Sequence, residues 1–252
     1  MRSSQLLLAQ YDSDKIASGY LERYDPILEP FIKKKIVLLE LGVYKGGSLL
    51  LWRDYFPLAK IVGIDISLPK GFQPTERIHV FEGSQADPQF LSYVANETAP
   101  DGFDIIIDDA SHIGELTKIA FWHLFDNHLK PGGLYVIEDW GTGYWDDWPD
   151  GRNLDLEAYL QPIPKQSFWG LFWLKVARKL RLIDEHSPKT PLRCHSYGMV
   201  GFIKQLIDEQ GAHDVTREGI KGKSKRGSKF ESMFIMPALV FIKKACHQTG
   251  TC

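Results

Sequence analysis

The chain has 252 residues, 44% hydrophobic and 25% charged, the mix of a globular protein with a full core, and one elaborated domain fits that length. A formal charge of −2 gives no overall pull toward nucleic acid. Cys194, Cys246 and Cys252 have no metal-ligand spacing and suggest no disulfide framework, so a reducing cytoplasm is the expected setting. The LLLA run behind Arg2 is too brief for a signal-peptide core, and no apolar stretch reaches the roughly 18 residues of a membrane span.

Residues 1–34 read as a helical segment holding Ser13-Asp14-Lys15, Gly19-Tyr20 and Tyr24, with Pro26 and Pro30 before the first strand. Lys35 to Leu41 is a short buried strand, broken at Gly42 to Ser48, and LLLWRDYF follows as a helix stopped by Pro57. Lys60 to Ile66 is a second strand carrying Asp65 near its end, and Arg77 to Glu82 a third, followed by GSQAD. A helix over Pro88 to Ala95, the strand FDIIIDD from Phe103, a helix over Gly114 to Leu129 and a turn at Lys130 to Gly133 lead into the fifth strand, GLYVIED. Strands alternating with helices predict the α/β class: a Rossmann-like doubly wound sheet with right-handed crossovers. About seven strands are expected, mostly parallel, with a C-terminal antiparallel hairpin.

The remaining residues change character. Gly141 to Asp155 is an aromatic and acidic loop in which Tyr144, Trp145 and Trp148, with Trp140 just before the loop, can stack on an acceptor or fill the core beneath, whereas Asp146, Asp147 and Asp150 read as solvated. Residues 167–182 form a helix with aromatics early and bases late. That pattern suits a core-facing or oligomer-forming helix, a lid, or a helix lying on a membrane surface. Met199 to Gln210 is an amphipathic helix. Strands are expected at His213 to Glu218 and at Phe230 to Lys243, the second bulged at Pro237, joined as a hairpin by the basic turn KGKSKRGSK. Those bases mark a solvated turn or a contact to a phosphate-bearing substrate. A single domain then divides into the N-terminal helical segment 1–34, a binding core 35–140, a variable lid 141–195 and a C-terminal part 196–252.

Chemistry concentrates in two places. FDIIIDDASH (103–112) and GLYVIED (133–139) are unbroken apolar runs that end in acids. Such runs suit strands buried on both faces, and ligands of open α/β sheets bind outside the carboxyl ends of the strands. As neighbours, the two strand ends would lie ~4.8 Å apart. Unit charges ~4 Å apart repel by ~4 kcal/mol at an effective dielectric of about 20. Asp108, Asp109, Glu138 and Asp139 together therefore call for a protonated acid or a cation, and a cation is the expectation. Asp-Asp after a strand also serves as a helix cap, and alternation starts adjacent acids on opposite faces.

The second place is the turn from Glu40-Leu41-Gly42 to Gly46-Gly47-Ser48, between a strand and a helix. Its glycines allow close backbone approach, and the helix start offers free N–H groups to a nucleotide-like ligand. Gly42 and Gly46 are four apart, unlike the dinucleotide fingerprint. Asp65 is placed to accept ribose hydroxyls, and Gln85 and Asp87 to meet an adenine amine; turn and cap chemistry would use the same residues.

SDK and GY near the N-terminus, LELGVYKGGS, WRDYFP, GIDI, GSQAD, IIDDASH and GGLYVIED followed by Tyr144-Trp145 resemble the class I S-adenosylmethionine-dependent methyltransferases. More narrowly, they resemble the metal-dependent sugar O-methyltransferases of macrolide and aromatic polyketide biosynthesis. The resemblance covers residues 13–145 and fades from 146 onward. It implies S-adenosylmethionine as cofactor, a divalent cation such as Mg2+ on Asp109, Glu138 and Asp139, and His112 as general base beside Asp109. Glu40, Gly42, Gly46, Ser48, Asp65, Gln85, Asp87 and Asp108 form the expected cofactor set, with Tyr20, Ser13, Asp14 and Lys15 folded over it or, alternatively, packed as an N-terminal helix on the sheet edge. The acceptor is expected to be a small-molecule hydroxyl in a homo-oligomeric enzyme. Alternatives are a catechol-type methyltransferase, a relative of cephalosporin hydroxylases, or a non-catalytic cofactor-binding protein; no His-x-Asp/Glu triad supports the hydroxylase. Ala110 stands where these relatives usually have glycine, which puts the turn geometry in question.

Overall fold

The computed structural model describes residues 2–72, 75–145, 147–152, 195–219 and 222–246. Among these, the apolar runs form the strands β1 (Val37–Leu41), β2 (Lys60–Asp65), β3 (Ile78–Glu82), β4 (Phe103–Asp108), β5 (Leu129–Glu138), β6 (Phe230–Ile235) and β7 (Leu239–Lys244). They make one sheet in the order β3-β2-β1-β4-β5-β7-β6. The first five strands run parallel, while β7 pairs antiparallel with both β5 and β6. Chain direction across the sheet reverses its order between β1 and β4, the switch point at which such sheets open a crevice.

Helices cover both faces: α1 (Asp14–Ala17), α2 (Tyr20–Leu28), α3 (Gly47–Tyr55), α4 (Pro88–Thr98), α5 (Gly114–Asn127), α6 (Pro149–Arg152), α7 (Gly198–Gln210) and α8 (Ala212–Val215). Strand alternation sorts the core into two layers. Leu39, Ile106, Tyr135 and Ile137 pack with Phe121, Phe125 and Phe202 from α5 and α7. Leu38, Ile105, Ile107 and Val136 pack on the other face with Tyr24, Trp52 and Tyr55 from α2 and α3. Burial on both faces is why these strands read as continuous apolar runs. The turn expected at Lys130 to Gly133 lies within β5, whose register against β4 shifts there.

The C-terminal expectations need correction. His213 to Glu218 is not a strand: α8 occupies Ala212–Val215, and only Arg217 forms an isolated bridge, with Ser224. The edge of the sheet is already taken by β6, so this segment has no ladder to join. Phe230 to Lys243 is two strands, and the hairpin turns at Met236 to Ala238 rather than through KGKSKRGSK. Pro237 has no N–H for a ladder, and Ala238 takes a left-handed φ of 64°, so the chain reverses instead of bulging. The helix expected at 167–182, Asp146, Cys194 and Cys252 lie outside the described residues. No helix among the described residues is long and apolar enough to cross a membrane.

Candidate active site

The ends of β4 and β5 are neighbours, with Asp108 opposite Ile137 and Glu138 one residue further. Alternation then separates the acids. Asp108, 2% exposed, turns toward the α4–α5 face, where Gln85 Nε2 donates to it at 3.2 Å and the Tyr135 hydroxyl at 3.2 Å. Burial pushes its carboxyl up to about 7, against the hydrogen bonds that favour the anion. Asp109 faces the opposite way, past the strand end, where Lys15 Nζ donates to its Oδ2 at 2.5 Å.

Lys15 is the centre of this second group. Its side chain is fully buried, with Glu138 Oε2 at 3.0 Å and Glu40 Oε1 at 3.4 Å completing its ring of acids. Burial opposes its charge, yet Asp109, Glu138 and Glu40 outweigh burial and hold the ammonium well above the ordinary lysine range. Part of the positive charge that the crowded acids demand therefore comes from the chain itself. Glu138 also accepts from the Tyr24 hydroxyl at 2.5 Å, and burial raises its carboxyl well above the usual range, with Asp109 adding to the effect. Glu40 accepts from Ser48 Oγ at 2.6 Å and Trp52 Nε1 at 3.0 Å, tying β1 to α3.

His112 and Asp139 both lie in the left-handed region at φ 51°, whereas Ala110 does not. The strain expected in the DDASH turn thus falls on the histidine, and alanine is no obstacle at the position before Ser111. Bending at Asp139 takes its side chain out of the strand alternation toward Tyr20, whose hydroxyl donates to Oδ1. His112 Nε2 then lies 3.7 Å from Asp109 Oδ1 and 3.9 Å from Asp139 Oδ2. One ligand atom from each of Asp109, His112 and Asp139 falls within 4.8 Å of the others. The imidazole is braced from behind by Trp148, ring centroids 5.8 Å apart, and the His112 carbonyl accepts from Trp148 Nε1 and Thr142 Oγ1.

The glycine turn stands alongside. Gly42 (φ 93°) packs so closely that a Cβ would meet the Asp109 carbonyl oxygen at 2.1 Å, which locks the β1 turn to the β4 turn. Gly46 (φ 82°) opens α3, and a Cβ there would strike the Phe72 ring at 2.2 Å. Asp65 Oδ2 accepts from the amides of Val43 at 2.7 Å and Tyr44 at 3.0 Å, and Oδ1 from Ser67 N. Gln85 bridges Asp108 and the Ser111 amide, and Asp87 caps α4 through the amides of Gln89 and Phe90. Asp65, Gln85 and Asp87 thus have protein partners of the turn and cap kind.

Tyr144 ends a 3₁₀ turn after Asp139, its ring near Trp140 and His195, and Trp145 is 52% exposed. Asp150, expected to be solvated, is buried: its Oδ2 accepts from Gly114 N at 2.9 Å and Met199 N at 2.7 Å, at the starts of α5 and α7. Asp147 is exposed as expected. Lys223, Lys225, Arg226 and Lys229 of the KGKSKRGSK stretch, with Arg217, line a cavity of about 940 Å³ remote from the strand ends. Three of them are neutralised nearby, Arg226 by Glu209, Lys229 by Asp126 and Lys225 by Glu218. Tyr24 is the site residue to which sequence reasoning gave no role. Lys15 was expected with Tyr20 over the cofactor and Trp148 among the aromatics facing the acceptor; the structure puts Lys15 among three acids and Trp148 against His112.

Comparison with known proteins gives consistent neighbours. No family model matches the chain. Mycinamicin VI 2''-O-methyltransferase of Micromonospora griseorubida is 41% identical over 133 residues, 50% of this chain and 32% of the relative. A tetracenomycin-C rhamnosyl 3'-O-methyltransferase of Streptomyces olivaceus is 41% identical over 149 residues, 55% of this chain and 37% of the relative. The chain thus spans about a third of the length of these curated relatives. The solved structure of MycE, a methyltransferase of the mycinamycin pathway in complex with Mg and SAH, matches with a TM-score of 0.61 and 27% identity, covering 89% of this chain and 48% of MycE. A MycE complex that also holds mycinamycin VI matches with a TM-score of 0.60 and 27% identity, covering 92% of this chain and 50% of that one. In sequence and in its Rossmann-like sheet, the chain is therefore similar to the class I sugar O-methyltransferases of macrolide and polyketide glycosides that its motifs resemble.

Proposed function

We propose that this chain transfers a methyl group from S-adenosylmethionine to a sugar hydroxyl of a glycosylated small molecule, with a divalent cation assisting. The observation that carries the reading is the convergence of Asp109, His112 and Asp139 at two adjacent strand ends beside the glycine turn. Each carboxylate has one oxygen engaged by a protein donor, Lys15 or Tyr20, and turns the other toward His112. Carboxylate oxygens so arranged fit Mg2+, which takes oxygen ligands and retains positions for water or substrate. Asp109 and Asp139 would hold the ion; Glu138, the third acid of the expected set, has its two oxygens engaged by Tyr24 and Lys15. A bound divalent cation would acidify the acceptor hydroxyl and restrain its oxygen.

The chain's own residues supply the rest. His112 Nε2, braced by Trp148, would accept the hydroxyl proton as the oxygen–methyl bond forms and the methyl–sulfur bond breaks, its electron pair leaving on the sulfur of S-adenosylhomocysteine. The left-handed Gly42 and Gly46 would let the backbone of the turn approach the cofactor, and Asp65 at the end of β2 would accept from the ribose hydroxyls. Asp108, Gln85 and Asp87 would lie toward the adenine, and Tyr20 on α2 would cover the site. Tyr144 and the exposed Trp145 offer aromatic faces to the acceptor sugar. Orientation of oxygen, carbon and sulfur is the main catalytic contribution, and positioning can supply ~7–11 kcal/mol in good cases.

The names of the relatives support glycosides as acceptors. The test is methyl transfer from a labelled donor to a panel of macrolide and rhamnosyl-tetracenomycin glycosides and to catechols, with Mg2+ or with chelator. Transfer to a glycoside that chelator abolishes is the expected result. Transfer to catechols alone would replace the sugar by an aromatic diol, and full activity in chelator would remove the cation.

A further inference from the structure

The acids at the strand ends carry more negative charge than one ligand set needs, and the chain answers it with one lysine. Lys15 Nζ lies within 3.4 Å of three carboxylates from three different strand ends, Glu40 near the end of β1, Asp109 just after β4 and Glu138 at the end of β5. It belongs to α1, a single turn of helix whose only fully buried side chain is this one. Tyr20 does for Asp139 what Lys15 does for Asp109, fixing one oxygen and leaving the other toward His112. The two donors differ in one respect: the phenol is neutral and the ammonium is not. A neutral outer donor only orients a ligand. A cation that touches the same carboxylate also repels any second cation placed on it, and burial leaves that repulsion poorly screened.

We propose that Lys15 is a positioning residue that sets the strength of divalent-cation binding, by occupying the inner half of the acid cluster and limiting the charge left for the ion at Asp109 and Asp139. This rests on the metal-assisted reading above. Lys15 holds Glu40, Glu138 and Asp109 Oδ2 together, and the outward oxygens Asp109 Oδ1 and Asp139 Oδ2, on either side of the His112 base, remain as the face the ion would meet. The ion is thereby held loosely enough to exchange, and the acids are kept assembled by the ammonium.

The test is calorimetric titration of the chelator-treated chain with MgCl2 alone, paired with thermal unfolding with and without Mg2+. Lys15→Met is expected to bind Mg2+ tenfold or more tighter than the parent, to unfold several degrees lower without Mg2+, and to gain more from Mg2+ than the parent does. Tyr20→Phe, which loses orientation without losing charge, should bind Mg2+ more weakly. Should Lys15→Met not fold, Lys15→Met/Glu40→Gln removes one acid with the lysine, and its Mg2+ affinity should exceed that of Glu40→Gln alone by the same factor. Equal or weaker Mg2+ binding on loss of Lys15 would overturn the proposal and leave Lys15 an orienting group like Tyr20. If neither the parent nor the lysine variants bind Mg2+, the metal-assisted reading itself fails; a silent parent with a binding Lys15→Met supports the proposal.

Discussion

His112 and Asp139 share one unusual backbone conformation, φ 51° at both, and meet with Nε2 and Oδ2 3.9 Å apart. Left-handed non-glycine residues cost of order 1–3 kcal/mol each and persist where the surroundings over-determine them. Here Trp148 and Thr142 hold the His112 carbonyl, and Tyr20 holds the Asp139 carboxylate. The strain aims both side chains at one point, which regular strand geometry could not do.

That strain separates structure from chemistry at His112. His112→Ala and His112→Gly both delete the imidazole and should lower turnover by about 10²–10⁴, the usual range for a general base. Glycine alone also relieves the left-handed φ, so the glycine variant should be more stable than the alanine variant by about 1 kcal/mol. Thermal unfolding of the pair, alongside turnover, reads both effects. Equal stabilities would mean that the turn carries no strain at this residue.

Asp65 is the cleanest probe of the cofactor. Asp65→Ala should weaken S-adenosylhomocysteine binding by at least about tenfold, since a ribose hydroxyl pair loses its acceptor. It also frees the amides of Val43 and Tyr44, so calorimetry should be accompanied by an unfolding curve to show that the fold persists. NAD titrated into the parent should give no specific signal. Unchanged affinity for S-adenosylhomocysteine would remove Asp65 from the nucleoside site.

What was legible in the sequence follows from which interactions are local. The central strands β1, β2, β4 and β5 could be read because burial on both faces makes each largely an apolar run. Alternation alone placed Asp108 and Asp109 on opposite faces, and the structure keeps them there. Lys15 was expected over the cofactor, but its contact with the acids was not legible, because Asp109 and Glu138 lie 94 and 123 residues away and nothing local distinguishes a buried lysine from a solvated one. Asp150 was hidden for the same reason, since its amide partners stand 36 and 49 residues off. At His213 to Glu218, β-like composition was overruled by the sheet edge, already occupied by β6. Pro237 was itself the available signal for a turn, and reading it as a bulge gave its missing N–H too little weight.

Asp150 should prove structural. One carboxylate oxygen caps the starts of both α5 and α7, where a Cβ on Gly114 would meet the Gly198 carbonyl carbon at 2.1 Å. Two helix N-termini this close concentrate unpaired N–H groups and positive dipole ends, which an acid satisfies best. Asp150→Ala should cost about 2–3 kcal/mol, two caps at roughly 1 kcal/mol each plus the exposure of buried amides. Asp150→Asn keeps an acceptor and should lose less. A denaturant melt showing no change for the alanine variant would contradict the cap.

Acid sensitivity is expected from a second histidine group, away from the strand ends. Ser92 Oγ lies 2.8 Å from His123 Nε2 and 3.0 Å from His128 Nε2, and the two rings are 5.3 Å apart. Burial lowers the pKa of both imidazoles, and at His128 the neighbouring His123 and Lys244 lower it further. Because the folded-state values are depressed, the unfolded chain takes up protons first as pH falls. Above pH of about 6.5 both states hold neutral histidines and the pair makes no pH-dependent contribution. Below it, stability should fall until pH passes the depressed folded values, where the loss levels off. Tm measured from pH 7.5 to 5 should therefore decline, and the decline should be shallower in His123→Gln/His128→Gln, whose other titrating groups are unchanged. Parallel Tm profiles for the two proteins would show that these histidines titrate alike in both states and would assign the acid sensitivity elsewhere.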